Sequence, residues 1–281
     1  MNKDRALGCF MGLAIGDALG VPLEFKDRDV MPPVTDMIGG GLFKLNPGEW
    51  TDDTSMALAL ADSILEYRTI NKEDIMQKFI QWYKKGSYSH NGKCFDIGST
   101  TSKALSAYYS TKSYSDAPDN HFNSGNGSIM RLAPVPVYYY NDIDTAILKA
   151  KDQSMVTHGS KQVLSCVEEL TIMLVSLING ISKDEVVDSS WTTVHRDTVK
   201  SSGFALDTLN AAKWAFANTN SFKDALILAV NLADDADTVG AVTGQIAGAY
   251  YGLSSIPLEW INKLVWKDHL YSIAMRLYNR N

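Results

Sequence analysis

The feature that most constrains the fold is a segment in which a cluster of acids precedes a long run without charge. Residues Asn231–Gly252 begin with Asp234, Asp235 and Asp237, followed by the hydroxyl of Thr238, and no later residue of the segment is charged. Apolar side chains then recur every three or four positions, the spacing of one face of an α-helix. The pattern predicts a buried helix with the acids at its N-terminal end.

Glycines lie at every fourth position on one face of this helix, at Gly240, Gly244 and Gly248. Each glycine in a helix costs about 1 kcal/mol relative to alanine, so a row of them indicates that another helix approaches closely. The helix predicted from about Asp4 to Leu19 carries a similar row, at Gly8, Gly12 and Gly16. We interpret both rows as surfaces of close helix packing.

The aspartates before the buried helix allow two interpretations. A single aspartate there is best explained as an N-cap. Several together repel one another, and the helix dipole offsets only about 0.3–1 kcal/mol for one excess negative charge. A divalent cation would neutralise them, because carboxylate and hydroxyl oxygens are ligands that Mg²⁺ and Mn²⁺ accept. From this segment alone, a metal site and a cap remain equally open.

A second cluster has the same chemistry. Thr51, Asp52 and Asp53 begin a predicted helix that extends to about Arg68, so two carboxylates and a hydroxyl again lie at a helix start. Four carboxylates from the two clusters would balance the charge of two divalent cations, as in two-metal hydrolytic sites. Spacing alone does not show that the clusters meet.

Six motifs occur in a fixed order along nearly the whole chain. They are GDALG at Gly16–Gly20 with PLE at Pro22–Glu24, GEWTDDT at Gly48–Thr54, FDIG at Phe95–Gly98, GNGSIMR at Gly125–Arg131, Thr157–His158, and DADT at Asp235–Thr238. Through these motifs, above all the paired Thr-Asp-Asp and Asp-x-Asp-Thr, the chain resembles the ADP-ribosylglycohydrolase family, which includes dinitrogenase-reductase-activating glycohydrolase and the ADP-ribosylhydrolases. The resemblance implies an all-α fold, a compact orthogonal multi-helix bundle. It also implies a centre of two Mg²⁺ or Mn²⁺ ions, held by Thr51, Asp52, Asp53, Asp235, Asp237 and Thr238.

The resemblance further implies roles for acids that the residues alone do not assign. Glu24 matches a glutamate on a loop that closes over the bound ribose, and it is implied to be catalytic together with Asp53 and Asp96. Without the family, Glu24 is merely an exposed acid and Asp96 is best explained as a helix cap. In relatives that act on arginine, the acid matching Asp96 serves the guanidinium of the modified arginine, which pairs bidentately with carboxylate. Asp96 therefore favours an arginine-linked substrate.

A loop rich in backbone donors is the candidate binding site for phosphate. Successive exposed N–H groups before a helix form an anion nest, although a Gly-Asn-Gly sequence is equally a common turn. The resemblance places the phosphates and ribose of the ligand at this loop and implies a further contact from the histidine of the Thr-His motif. The substrate-binding residues predicted in this way are Gly98, Asn123, Ser124, Gly125, Asn126, Gly127, Ser128 and His158. Arg131 could pair with phosphate or form a structural salt bridge.

The rest of the chain predicts one helical domain spanning residues 1–281, because no linker or low-complexity run divides it. Further helices are predicted at about 72–85, 141–155, 160–179, 203–217, 222–232, 236–251 and 267–278. The only β-like run, Pro134–Tyr140, contains two prolines that argue against a central strand. Asp17, on the last turn of the first helix, is either satisfied by neighbouring backbone or placed behind the metal ligands.

Charge and cysteine content limit the partners. A net charge of −6 argues against non-specific binding to nucleic acid or to an anionic membrane. Cys9, Cys94 and Cys166 form no CxxC motif, which suits a reducing compartment, and we predict a cytoplasmic protein. The apolar run near the N-terminus is bracketed by acids and is predicted to be a core helix, shorter than the roughly 20 residues of a membrane span.

The sequence thus predicts an ADP-ribosylhydrolase that cleaves the N-glycosidic bond of ADP-ribosyl-arginine. Its partner would be an ADP-ribosylated protein or a small ADP-ribosyl conjugate. Three alternatives remain at this point: a hydrolase of O-linked ADP-ribose, such as a serine adduct or O-acetyl-ADP-ribose, a non-catalytic ADP-ribose-binding protein, and a metal phosphohydrolase acting on nucleotides. The absence of a His-Asp dyad with further histidine ligands weighs against the His-rich form of the last.

Overall fold

The fold, seen in a computed structural model that describes residues 2–112, 114 and 124–280, is helical throughout. The described residues contain no strand, only isolated bridges between loops, which confirms the predicted all-α class. The helices are α1 Asn2–Gly20, α2 Asp52–Tyr67, α3 Lys72–Lys85, α4 Ser99–Thr111, α5 Pro134–Tyr138, α6 Ile143–Ser154, α7 Lys161–Ile178, α8 Lys183–Val186, α9 Ala205–Ala217, α10 Phe222–Val230, α11 Ala236–Tyr251, α12 Leu258–Lys263 and α13 Lys267–Asn279.

The centre of the bundle is the antiparallel pair α1 and α11, and both glycine rows lie in the contact between them. Gly12 faces Gly244 so closely that a Cβ at Gly12 would lie 2.1 Å from the Gly244 carbonyl oxygen. Gly8 meets Gly248 and Gly16 meets Gly240 in the same way. The two glycine rows predicted as packing surfaces therefore pack against each other. This contact fixes the C-terminal end of α1 next to the N-terminal end of α11.

Burial on all sides explains the composition of α1. By length and hydropathy, the stretch Asn2–Leu23 resembles a membrane span, contrary to the expectation that the run is too short. In the fold, 94% of its most apolar window is buried, because α11 and its neighbours surround it. A helix that is apolar on every face is typical of the interior of a large domain.

The helices α5 and α12 are among the elements that differ from the sequence-based expectation. Residues Pro134–Tyr138 form a short helix with Pro134 at its first position. Both prolines fall in the first turn, where backbone N–H groups have no partner within the helix, so the missing donors cost nothing. The helix Leu258–Lys263, which begins after Pro257, was not predicted because six residues are too few to show a helical period.

Candidate functional site

The two acidic clusters adjoin, as predicted. Helices α2 and α11 both begin at the C-terminal end of α1, and their first residues exchange hydrogen bonds. The Thr51 hydroxyl lies 3.1 Å from an Asp237 oxygen, and the Thr238 hydroxyl lies 3.3 Å from an Asp53 oxygen. Residues separated by more than 180 positions thus form one site, in which each cluster places a hydroxyl against a carboxylate of the other.

Asp17 caps helix α2 from the end of α1. One of its carboxylate oxygens accepts from the backbone N–H and the hydroxyl of Thr51, and the other accepts from the same two groups of Thr54, over 2.6–3.0 Å. The side chains at the N-cap positions themselves, Thr51 and Asp235, make no capping bond to their own helices. Capping therefore does not account for the acids that follow Thr51 and precede α11.

The clustered carboxylates are held close together at a cost in repulsion. Burial raises the pKa of Asp52, Asp53, Asp235 and Asp237 well above the ordinary value, and the charges of neighbouring carboxylates raise it further. Carboxylates in such surroundings are stable when a cation or a proton compensates them.

Unsatisfied oxygens show where a cation would fit. One oxygen each of Glu24, Asp53 and Asp237 is buried without a hydrogen-bond partner among the described residues. Oxygens of Asp17, Asp53 and Asp237 lie within 4.8 Å of one another, and so do those of Glu24, Asp96 and Asp237. Asp237 belongs to both groups, and carboxylate oxygens gathered in this way are ligands that suit hard divalent cations.

The position of Glu24 corrects the interpretation that the residues alone suggested. It is not exposed: only 1% of its surface is accessible, and its segment pairs with the turn before α11. Phe25 N–H donates to the Asp234 carbonyl, and Asp234 N–H donates to the Lys26 carbonyl. Arg28 fastens the same segment by donating to the carbonyls of Leu232, Arg196 and Val199. These bonds hold Glu24 beside the aspartates of α11.

Asp96 also lies at the acidic cluster, and among the described residues no helix N–H donates to its side chain. It is half-buried, has a positive φ of 59°, and precedes Gly98, the N-cap residue of α4. Burial, followed by the charges of Asp235 and Asp17, raises its pKa to about 7. The interpretation of Asp96 as a cap is therefore wrong.

A cavity of about 400 Å³ opens beside the acids. Of the residues predicted to bind substrate, five line it: Gly98, Gly125, Asn126, Gly127 and His158. Ser124 and Ser128 are buried behind the wall, and Asn123 lies outside the described residues. Asn126 does more than line the cavity, since its side-chain amide donates to Asp235 and, over 2.9 Å, to Thr208.

Sequence reasoning missed part of the cavity wall. Ser99, Thr100 and Thr101, the first turn of α4, face the cavity together with Gly203 and the exposed ring of Phe25. Gly98 provides no side-chain cap for α4, so backbone N–H groups are available at its positive end. The run Gly98-Ser99-Thr100-Thr101, small and hydroxyl-bearing residues close after Asp96, was the signal that could have identified this wall.

Arg131 forms neither of the contacts that the sequence suggested. It is fully buried, outside the cavity wall, and donates to Gln153 and Thr157 instead of to a carboxylate.

Comparisons with known proteins agree with this architecture. The family profile described as ADP-ribosylglycohydrolase matches residues 1–281, and the chain belongs to that family. It is 41% identical to the ADP-ribosylarginine hydrolase Tri1 of Pseudomonas putida (strain GB-1), with alignment over 99% of this chain and 78% of that protein. It is 33% identical to the ADP-ribosyl-[dinitrogen reductase] glycohydrolase of Rhodospirillum rubrum, over 94% and 91% of the two chains. A solved structure of an ADP-ribosylglycohydrolase-related protein complex superimposes with a TM-score of 0.86 at 36% identity, covering 99% of this chain and 98% of that chain.

Proposed function

We propose that this protein is a Mg²⁺- or Mn²⁺-dependent ADP-ribosylarginine hydrolase. The observation that carries the proposal is the meeting of two acidic helix starts, with buried carboxylate oxygens that lack partners among the described residues, beside a cavity that the first turn of α4 also lines. The names of the two relatives, one acting on ADP-ribosylarginine and one on dinitrogen reductase, support the reaction class. The substrate would be an ADP-ribosylated protein or a small ADP-ribosyl conjugate.

The cavity lining offers both kinds of contact that ADP-ribose needs. The first turn of α4 and the backbone N–H groups of Gly125 and Gly127 would face the negatively charged pyrophosphate. The acids line the same cavity, and the neutral ribose diol and the bond to be cleaved would lie against them.

The oxygens of Thr51, Asp52, Asp53, Asp235, Asp237 and Thr238 would hold the two ions. When bound, these ions supply Lewis acidity and a fixed position for the ribose diol. In the reaction, water adds to the anomeric carbon, the carbon–nitrogen bond breaks, and a proton passes to the leaving guanidine, giving ADP-ribose and arginine. Glu24 would accept the proton of the water, and Asp96 would pair with the guanidinium. Surrounding carboxylates favour an oxocarbenium-like transition state.

The proposal is tested by incubating the purified protein with ADP-ribosyl-arginine and following the release of ADP-ribose. We expect hydrolysis in Mg²⁺ or Mn²⁺ and its loss in excess chelator. Binding of ADP-ribose without turnover would identify a non-catalytic reader instead, and release of phosphate from ADP-ribose would indicate a phosphohydrolase. Either result would overturn the proposed activity.

Asp96→Ala is expected to lower kcat/KM for ADP-ribosyl-arginine by about a hundredfold, while hydrolysis of ADP-ribosyl-serine changes less than about threefold. The reason is that only the arginine adduct offers a guanidinium to this carboxylate. Both rates are measured on the same preparation, with wild type as the control. Because Asp96 also lies with Glu24 and Asp237, an equal loss on both substrates would show that it serves the metal centre and not the leaving group. An unchanged arginine activity would remove it from the mechanism.

Without metal, the protein is expected to become less stable as pH rises from about 4 to 7. Burial raises the pKa of Asp17 to about 6 and that of Asp96 to about 7, above the ordinary value of 3.8. At a pH between the ordinary pKa and the raised pKa, the folded chain holds protons that the unfolded chain has released. Raising the pH through this range therefore favours unfolding. Divalent ions should replace those protons and remove the trend. Urea unfolding at several pH values, in chelator and in Mn²⁺, measures both; stability that rises with pH in chelator would contradict the expectation.

A further inference from the structure

A buried cation behind the cavity has no role in the proposed chemistry. The Arg131 guanidinium donates from Nε to the side-chain oxygen of Gln153 over 2.9 Å, and from Nη2 to the Gln153 carbonyl over 3.1 Å and to the Thr157 hydroxyl over 2.9 Å. It also lies over the ring of Phe79, 4.7 Å from the centroid. Burial lowers the pKa of Arg131 to about 9, so the group remains charged at neutral pH. The three acceptors of its hydrogen bonds are all neutral groups, and one of them is the Thr157 hydroxyl.

Thr157 connects this cation to the histidine of the cavity. Its hydroxyl oxygen accepts from Arg131 and lies 2.8 Å from Nδ1 of His158. A guanidinium can only donate, so the hydroxyl proton is available to Nδ1. If Nδ1 instead carried a proton, Thr157 would accept two bonds, and its own proton would be buried without an acceptor in the described part of the chain. That penalty corresponds to a tautomer preference of about tenfold or more.

The surroundings of His158 keep the ring neutral and direct its second nitrogen to the cavity. The residue is 1% exposed, and burial, followed by the charge of Arg131, lowers its pKa to about 3. The ring lies against two cavity glycines: a Cβ at Gly127 would be 3.1 Å from Nε2, and one at Gly125 would be 3.3 Å from it. Because Nδ1 is engaged by Thr157, Nε2 is the nitrogen left to face a ligand.

We propose that Arg131 and Thr157 are positioning residues that fix His158 as a neutral imidazole with its proton on Nε2, a permanent hydrogen-bond donor into the cavity. The ligand would supply an oxygen acceptor, and its identity as a phosphate or ribose oxygen of ADP-ribose rests on the proposed function. Neither Arg131 nor Thr157 lines the cavity, so their effect passes through the histidine. A neutral imidazole forms a hydrogen bond to its ligand but no ion pair. The weaker interaction suits release of the product.

The test reads the tautomer directly. Protein labelled with ¹⁵N at histidine is examined by long-range ¹H–¹⁵N NMR at pH 7 without ligand, and the His158 signals are assigned from their loss in His158→Gln. Wild type is expected to show the Nε2–H form. Thr157→Val removes the hydroxyl at nearly constant shape, and we expect a shift toward the Nδ1–H form and about tenfold weaker binding of ADP-ribose. Thr157→Ser keeps the hydroxyl and is expected to keep both the tautomer and the affinity.

The outcomes separate this proposal from the proposed function. An Nδ1–H or doubly protonated ring in wild type overturns the proposal, even if Thr157→Val does not fold, and so does a valine variant with an unchanged spectrum. A tautomer that follows the prediction in all three proteins supports it. If the tautomers behave as expected but wild type binds no ADP-ribose, the positioning role stands and the proposed function fails. If wild type hydrolyses the substrate but its His158 carries the proton on Nδ1, the proposed function stands and the positioning role fails.

Discussion

Asp237→Asn is expected to reduce kcat/KM for ADP-ribosyl-arginine by roughly a thousandfold or more. Asp237 is the carboxylate shared by both groups of acids that could hold a cation, and one of its oxygens is buried without a partner. An amide of the same shape supplies a neutral oxygen and a nitrogen that repels cations. The loss should therefore exceed that from any acid belonging to one group only, and it is measured by ADP-ribose release at saturating Mg²⁺ or Mn²⁺.

The same substitution should increase stability in chelator. The carboxylate of Asp237 is buried and is repelled by Asp96 and Asp17, which is why its pKa is raised well above the ordinary value. Removing that charge relieves the repulsion, as is common where active sites retain unfavourable groups for function. We therefore expect a higher melting temperature for Asp237→Asn than for wild type in chelator, and a smaller rise when Mn²⁺ is added. An inactive variant that is also less stable in chelator would indicate a structural role instead.

Asp234→Asn is the matched control for both measurements. It makes the same change three residues earlier, at an exposed position outside both groups of acids. Asp234 has a positive φ of 62°, which asparagine tolerates well, and its bonds to Phe25 and Lys26 use only the backbone. We expect less than about a tenfold change in activity and no change in the response to metal. A loss as large as that of Asp237→Asn would show that charge near the cavity, and not metal binding, explains the effect.

Much of the site could be predicted because its parts are local. A hydroxyl next to two carboxylates at a helix start can be recognised in a segment of about seven residues. A glycine at every fourth position can be recognised within the sequence of a single helix. The capping of α2 by Asp17 was not predictable in this way, because donor and acceptor lie more than 30 positions apart and the motif around Asp17 does not name its partner. The meeting of the two clusters was likewise an implication of the family and not of the spacing.

Burial was the property least accessible from sequence. Glu24 lies two residues after Pro22 and begins a polar loop, so its local pattern indicates exposure, yet backbone pairing with the turn before α11 encloses it. Arg131 is a charge in an otherwise apolar neighbourhood, and only the fold shows that Gln153 and Thr157 provide its acceptors. In both cases a tertiary contact overrides the preference that the residue has in isolation.

Gly244→Ala is expected to destabilise the protein by about 3 kcal/mol or more, against the direction that helix propensity predicts. In isolation, alanine would stabilise a helix by about 1 kcal/mol relative to glycine. Here a Cβ at Gly244 would lie 1.9 Å from the Gly12 carbonyl oxygen, and the obstacle is backbone that cannot rotate away. The helices α1 and α11 must therefore separate, and contacts along their whole length are strained. Denaturant unfolding in chelator measures the effect without the contribution of bound metal.

Gly98→Ala is the control for Gly244→Ala, because it makes the same substitution where no other helix is in contact. Gly98 has an ordinary φ of −61°, and a Cβ there would have no neighbour within 4 Å, so we expect a change in stability below about 1 kcal/mol. If Gly244→Ala were as stable as wild type, the helices could not be in backbone contact. The placement of Asp17 and Asp237, which lie on these two helices, would then need another explanation, because the distance between α1 and α11 is what brings the first turn of α2 within reach of both.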